Sequence, residues 1–488
     1  MSFTEIPIPL GFYQSESIPL AGQECVNFIP VIPQAEALSQ RALIGAPGIR
    51  EITITGTPIT GVNRGSINVN GVYYTVNGGA LYRINSNFVS SKIGDVDGTG
   101  RISMAKSTEY LVIVVPGIKA YTFNISSSAF AEITDLDFKT ADTVVFIDGY
   151  FVFNSSDGKT IFHSLLNDPT SYDALDFGSS EVSPDKIISV NADHNELFVM
   201  NEETTEIFDN VGGAGFVFQR IDGAFIQKGS HARFGTVNFD NTLVFLGGGI
   251  GEKTSVWKVT GTSSVSKIST SAIDNAIQEF TREEIANAFA MTYAEDGNFF
   301  VIFTFESDRI PSRTFVFDAT TSALSGVQVW HERQTGVERD RWRVNSITQA
   351  YGELIVADSQ GPKFGILEKK TYTEYGNVLF RRAAFAPFST KGLPLFWGTI
   401  KLTMESGAGL TTGQGSDPQI RYDFSDDGGR TFSSEFFRSY GKIGEYSTVP
   451  TWRKQGRIQK YRTLRFTTSE PVVSNILKLE ARIQEGTQ

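Results

Sequence analysis

The chain has 488 residues, of which 40% are hydrophobic and 20% charged, with 47 Gly, 38 Phe and a net charge of −11. That length exceeds one ordinary core, the balance excludes wholesale disorder, and abundant Gly and Phe fit tight turns and aromatic strands. The acidic balance opposes tight, non-specific clamping of nucleic-acid phosphates.

The first segment, MSFTEIPIPLGFYQSESIPL, has no basic stretch leading into a continuous apolar run, so it does not read as a signal peptide. No stretch approaches the ~18 apolar residues of a bilayer span, which excludes membrane insertion by a helix. Cys25 is the one cysteine, so no intramolecular disulfide framework forms and a reducing cytosol suits folding. No histidine lies near it in sequence, and it does not read as a nucleophile. Residues 1–50 carry Pro7, Pro9, Pro19, Pro30, Pro33 and Pro47. Repeated proline favours short, edge-like segments, and this region reads as an extended arm that runs over the surface and supplies a strand or two to close a ring. Within it, Pro33 to Leu43 predicts a short helix.

Residues 51–375 repeat one phrase. A polar or Gly-containing step runs into a β-rich apolar stretch at Asn70-Gly71, Thr108-Glu109, Asp148-Gly149, His194-Asn195, Asp240-Asn241, Asp296-Gly297 and Tyr351-Gly352. The spacing, roughly 38 to 56 residues, is that of four-stranded propeller blades. A blade cannot bury both faces alone and must stack on neighbours. Seven beats predict a β-propeller of six or seven blades, the count turning on whether a distant strand completes the first blade.

Within the repeats, Asp95 to Gly100 resembles the opening of a calcium loop, but Thr99 and Lys106 occupy positions that need an oxygen ligand and a bidentate Glu. His163, His194, His231 and His331 are dispersed without metal-ligand spacing. Gly247 to Gly251 lacks the Lys-Ser/Thr of a phosphate loop, and no nucleophile elbow is present. These readings predict no catalytic residue, no metal and no cofactor. Thr270 to Ala290 breaks the β pattern with two helical phrases. Ile273, Ile277 and Phe280 share a face in the first, Ile285 and Phe289 in the second, and Thr281 with Glu284 forms a capping box. The insertion reads as helices packed on the propeller, with a rim contact between subunits as its functional alternative.

Residues 376–488 read as a separate C-terminal β domain of sandwich or barrel type, with alternating strands at Leu395 to Glu405 and Gln419 to Tyr440. Ser425, Asp427, Gly429, Thr431 and Phe432 match the Asp-box of sialidase-like propellers, whose physical content is a tight hairpin: the carboxylate accepts backbone N–H groups, the Gly takes positive φ and the aromatic anchors the turn. Arg453, Lys454, Arg457, Lys460, Arg462 and Arg465 form a basic stripe with no acid between them, interleaved with Trp452, Tyr461 and Phe466. On a strand, Lys460 and Arg462 would share a face with Tyr461 opposite. The stripe suits contact with another subunit or with passing phosphate.

Several phrases, in collinear order, resemble the packaged-DNA stabilisation proteins, the tail hub or nozzle subunits of short-tailed double-stranded DNA phages. IGDVDGTGRISMA (Ile93 to Ala105) carries the resemblance, supported by NFIP (Asn27 to Pro30), GAPGI (Gly45 to Ile49), the helical Ile268 to Glu284 and Trp452 to Val472. The resemblance implies a hexameric ring below a portal and its adaptor ring, assembled in the host cytoplasm. Such a ring retains the packaged genome and conducts double-stranded DNA at ejection. It also implies contacts with a tailspike or tail fibre and with a tip plug or needle, and it offers no catalytic residues to transfer. An intracellular propeller scaffold and a glycan-binding module are the alternative readings.

Overall fold

The computed structural model describes residues 3–180, 183–389 and 395–485. Among these, seven blades surround one axis. Their first strands, Asn63–Val69, Ser103–Lys106, Ala141–Ile147, Ile187–Asp193, Thr236–Phe239, Phe289–Glu295 and Val344–Ala350, lie innermost and touch one another in sequence around the ring. The fold is mainly β, a propeller with a C-terminal sandwich, and the blade number is seven.

The sequence beats are the turns between first and second strands. Asn70-Gly71, Asp148-Gly149, His194-Asn195, Asp240-Asn241, Asp296-Gly297 and Tyr351-Gly352 all have positive φ at both residues and connect directly paired strand ends, such as Val69↔Val72 and Glu295↔Asn298. Positive φ at both central positions defines the type I′ turn, whose twist matches that of the strands it joins. Asn, Asp and Gly meet that demand at least cost. Thr108-Glu109 is the exception, a wider loop in which Ser107 N–H donates to Tyr110 O at 2.8 Å.

Apolar side chains on both faces of each strand leave every blade with two faces to bury. The result is a separate core at each of the seven blade interfaces. Tyr73 and Ile84 of blade 1 meet Ile355 and Phe364 of blade 7 where the ring closes. Blade 7 takes its fourth strand from the N-terminal arm: Gly48–Ile52 pairs antiparallel with Phe364–Glu368. Close approach explains Gly247, where a Cβ would stand 1.8 Å from the Gly229 carbonyl oxygen. The helical phrases form Ser271–Ile277 and Arg282–Ala286, and the capping box at Thr281 and Glu284 is present. Ile273, Ile277, Phe280 and Ile285 bury into the core between blades 5 and 6. Phe289 is not helical but opens the first strand of blade 6.

The arm runs over the surface in places, with residues 16–18 and 34–38 exposed, but its centre does not. Cys25, Val26 and Phe28 are fully buried. Gly22–Val26 pairs in parallel with the outer strand of blade 6, Trp330–Thr335, and antiparallel with Arg381–Ala384. One sheet therefore passes from the propeller through the arm into the sandwich, continuing through Tyr461–Thr468 and Gln419–Ser425 to Phe436–Ser439. The facing sheet holds Phe28–Val31, Ala42–Gly45, Ile476–Glu485, Leu395–Met404 and Thr451–Ile458. Trp397, Tyr422, Trp452 and Phe466 fill the space between them. The short helix expected over Pro33 to Leu43 is absent. Its C-terminal residues join Ala42–Gly45, paired with Phe28–Val31, and this tertiary pairing overrides local helix propensity.

Candidate functional site

Two regions gather the chemistry-bearing residues, the mouth of the propeller axis and the far edge of the sandwich. At the axis, the first strands of blades 1, 3, 4 and 7 each carry a bulge at the same place, skipping Arg64, Asp142, Ile188 and Asn345. A bulge leaves one residue unpaired and re-aims its side chain. Arg64 uses that freedom to bind four carbonyls: Gly100 (2.7 Å), Gly78 (2.9 Å), Val96 (3.1 Å) and Asp97 (2.9 Å). The loop of Asp95 to Arg101 thus wraps around a guanidinium. Its carboxylates lie against lysines, Asp95 meeting Lys92 at 2.7 Å and Asp97 meeting Lys119 at 3.0 Å.

Arg64, Arg101, Arg233, Arg309 and Arg341 border a cavity of about 1070 Å³ at this mouth. Each is already engaged. Arg233 pairs with Asp142 at 2.8 Å, Arg309 with Glu284 at 3.1 Å and Arg341 with Glu306 at 2.5 Å. Arg101 donates to Asn345 O at 2.6 Å and lies 3.6 Å from the centre of the Phe289 ring. Burial, with help from neighbouring Arg341, pulls the Arg101 guanidinium down to about 9. These groups brace adjoining blades, and no nucleophile–base pair stands among them.

The four histidines are structural in their contacts. His163 is buried between Ser164 O and Val217 N–H, and His231 meets Thr254 at 2.7 Å. His194 sits beside Asp193, and His331 is fully buried. Among the described residues, no group of three or more His, Cys, Asp or Glu side chains is placed to hold a metal. Burial raises the Cys25 thiol well above its ordinary value, and it donates to Phe28 O.

In the sandwich, the structure divides the basic stripe. Arg462 is 2% exposed and makes a bidentate pair with Asp426, 2.6 Å on each side, while its guanidinium lies 3.8 Å from the centre of the Phe424 ring. Arg465 pairs in the same way with Asp423 and stacks on Phe432. Neither is free for a partner. Arg453, Lys454, Arg457 and Lys460 are exposed and form no ion pair with any described residue. Lys460 precedes the strand Tyr461–Thr468, and its ammonium leans on the Tyr461 ring at 5.2 Å, so the expected two-faced arrangement does not form.

The Asp-box residues form one turn. Asp427 accepts from Arg430 N–H (3.0 Å), Thr431 N–H (2.9 Å), the Thr431 hydroxyl (2.6 Å) and the Ser425 hydroxyl (2.8 Å). These donors, led by Thr431, hold its carboxyl far below the usual range. Gly429 N–H donates to the Ser425 hydroxyl, and Gly428 and Gly429 both have positive φ. Phe432 anchors the turn beneath Arg465. Sequence reading found the turn but missed its link to the stripe. It also missed Arg64, because the loop that encloses it lies three strands further along the chain and nothing local marks the contact.

Two family profiles cover this architecture in order: Bacteriophage P22 Gp10, beta-propeller, over residues 4–372, and Bacteriophage P22 Gp10, beta-sandwich, over 394–484. The chain belongs to the P22 Gp10 family. The tail hub protein gp10 of Salmonella phage P22 is 24% identical over 417 residues, covering 82% of this chain and 83% of that protein. Gp10-family membership makes this chain a phage tail hub protein, and both family units match it collinearly. Among solved structures, a chain of the mitotic checkpoint complex aligns with 69% of this chain and 97% of its own, at 11% identity and TM-score 0.39. The computationally designed Ika8 protein aligns with 71% of this chain and 100% of its own, at 14% identity and TM-score 0.38. Likenesses this loose bear on neither function nor assembly.

Proposed function

We propose that this protein is a structural, non-catalytic subunit of the tail nozzle. In this reading, six copies form a ring that prolongs the DNA channel, retains the packaged genome and conducts it during ejection. The observation that carries the reading is the collinear match of both propeller and sandwich to the P22 tail hub family. Its neighbours would be the portal-adaptor ring, a tailspike or tail fibre, a tip plug or needle and the passing double-stranded DNA, all in the virion tail after assembly in the host cytoplasm. Among the described residues, no helix is long and apolar enough to cross a membrane.

Of the sequence candidates for subunit or DNA contact, Arg453, Lys454, Arg457 and Lys460 suit the role, being exposed cations in an acidic chain. Arg462 and Arg465 support them from within. The Asp-box lies in the sandwich and is occupied by its own backbone, so it adds nothing to a glycan-binding reading. The test is sedimentation of an induced or infected lysate with antibody-gold labelling of the particle fraction. Label at the single tail vertex of DNA-filled particles is expected. Protein confined to the soluble fraction of a lysate that holds infectious particles would overturn the reading in favour of an intracellular scaffold.

A further inference from the structure

The sandwich ends in two edge strands, Phe436–Ser439 in one sheet and Thr451–Ile458 in the other, each paired on one side only. They are tied side by side: Trp452 Nε1 donates to Phe436 O at 3.0 Å and Arg438 Nε to Thr451 O at 3.1 Å. Phe437 is 51% exposed on the first of these strands, and Arg453 and Arg457 are exposed on the second. This edge faces away from the propeller, since Phe436–Ser439 lies five strand spacings from the outer strand of blade 6, about 24 Å. Lys454 and Gly456 have positive φ, and the strand is bulged against Leu395–Met404. Such an edge resists addition of another strand and offers side chains instead.

A surface of opposite character lies across the molecule. The outer strand of blade 3, Asp168–Ser179, bulges between Tyr172 and Phe177, exposing Asp173 and Leu175, the latter 75% exposed. Beside it, the loop holding Leu136 and Asp137 is pinned by Tyr172 N–H donating to Asp135 at 3.2 Å. Leu136 is 100% exposed. Neither Asp137 nor Asp173 pairs with a cation among the described residues. The sandwich joins the ring at blades 6 and 7, and blade 3 is three blades away in either direction, so the two surfaces occupy opposite ends.

We propose that the basic, aromatic edge of the sandwich docks on the acidic, leucine-bearing edge of blade 3 in a second copy of this chain. This deepens the ring reading above and rests on it. A chain with complementary patches at opposite ends associates head to tail, the heterologous geometry that builds rings or filaments. A net charge of −11 makes copies repel overall, and the local match of signs supplies register and attraction. The apolar members, Phe437 against Leu136 and Leu175, provide area to bury.

The test uses the full-length chain with Leu136→Cys and Lys454→Cys, whose one native cysteine is buried. Mild oxidation traps even transient contacts. A ladder of covalent multimers is expected from the double variant, with nothing beyond a dimer from either single variant. Adding Arg453→Glu and Arg457→Glu should cut ladder yield at least tenfold. Mixing that protein with a cysteine-bearing chain carrying Asp137→Arg and Asp173→Arg should restore it. These sites are exposed, so an unchanged melting curve should confirm folding. No ladder, or a ladder indifferent to charge reversal, overturns the contact. Gold label at the tail vertex with no ladder would sink this interface alone, and a ladder with no label would sink the tail reading alone.

Discussion

Asn27 and Gln334 exchange two hydrogen bonds in the fully buried seam between propeller and sandwich. Asn27 Nδ2 donates to Gln334 O at 2.8 Å, and Gln334 N–H donates to Asn27 Oδ1 at 3.1 Å. The same amide also donates to Phe380 O at 2.6 Å, so one side chain joins the arm, blade 6 and the strand entering the sandwich. Asn27 holds a φ of 53°, which Asn tolerates better than other residues with a Cβ.

Asn27→Ala leaves three buried backbone groups unpaired and adds backbone strain. It should cost about 2–4 kcal/mol. Because the loss falls on the seam, calorimetry should show one transition splitting into two as propeller and sandwich uncouple. A single transition at the native midpoint would contradict this.

Arg64→Met keeps the aliphatic stem but abandons four carbonyls. A loss of about 3 kcal/mol is expected in denaturant unfolding. Hydrogen exchange should rise first in residues 95–101, where the loop loses its centre.

The two halves of the basic stripe should respond differently. Arg465→Ala strands Asp423, which is 5% exposed, and should destabilise by about 3 kcal/mol. Arg453→Ala, with no ion pair to break among the described residues, should stay within about 0.5 kcal/mol of the parent. Equal effects in thermal melts would refute the division.

Asp427→Ala removes the acceptor at the centre of the 425–432 turn. Faster exchange at the Arg430 and Thr431 amides is expected, with little change in the global midpoint, because the turn is exposed. Strong global loss would mean that the turn supports the Arg465–Phe432 stack more than its surface position implies.

Acid should weaken the fold through two histidines. Burial pulls both His231 and His331 down to about 3, whereas the unfolded chain binds protons at ~6.5. Stability from these groups is therefore complete above ~6.5 and lost progressively as pH falls toward 3. For His331, fully buried, the loss between pH 7 and 5 is about 2 kcal/mol. His331→Gln should flatten that part of the profile of unfolding free energy against pH.

The turn chemistry was legible in the sequence because a type I′ hairpin makes a local demand. Asn-Gly or Asp-Gly before an apolar run states it within a few residues, and even His194-Asn195 and Tyr351-Gly352 kept the rhythm. The capping box at Thr281 was legible for the same reason. The fate of the basic stripe was not. Arg453 and Arg465 look alike in sequence, and only the arrival of Asp423 and Asp426 from a neighbouring strand and turn made Arg462 and Arg465 internal.

Local order, then, was set by the chain itself: blade period, turn type, helix start and a mainly β composition with a single cysteine. Tertiary structure alone decided that the centre of the proline-rich arm is buried, that the arm completes blade 7 and that it carries one sheet into the sandwich. Such pairings join residues hundreds of positions apart, as Val26 does with Glu332, and their free energy resides in packing and hydrogen bonds that no local window contains.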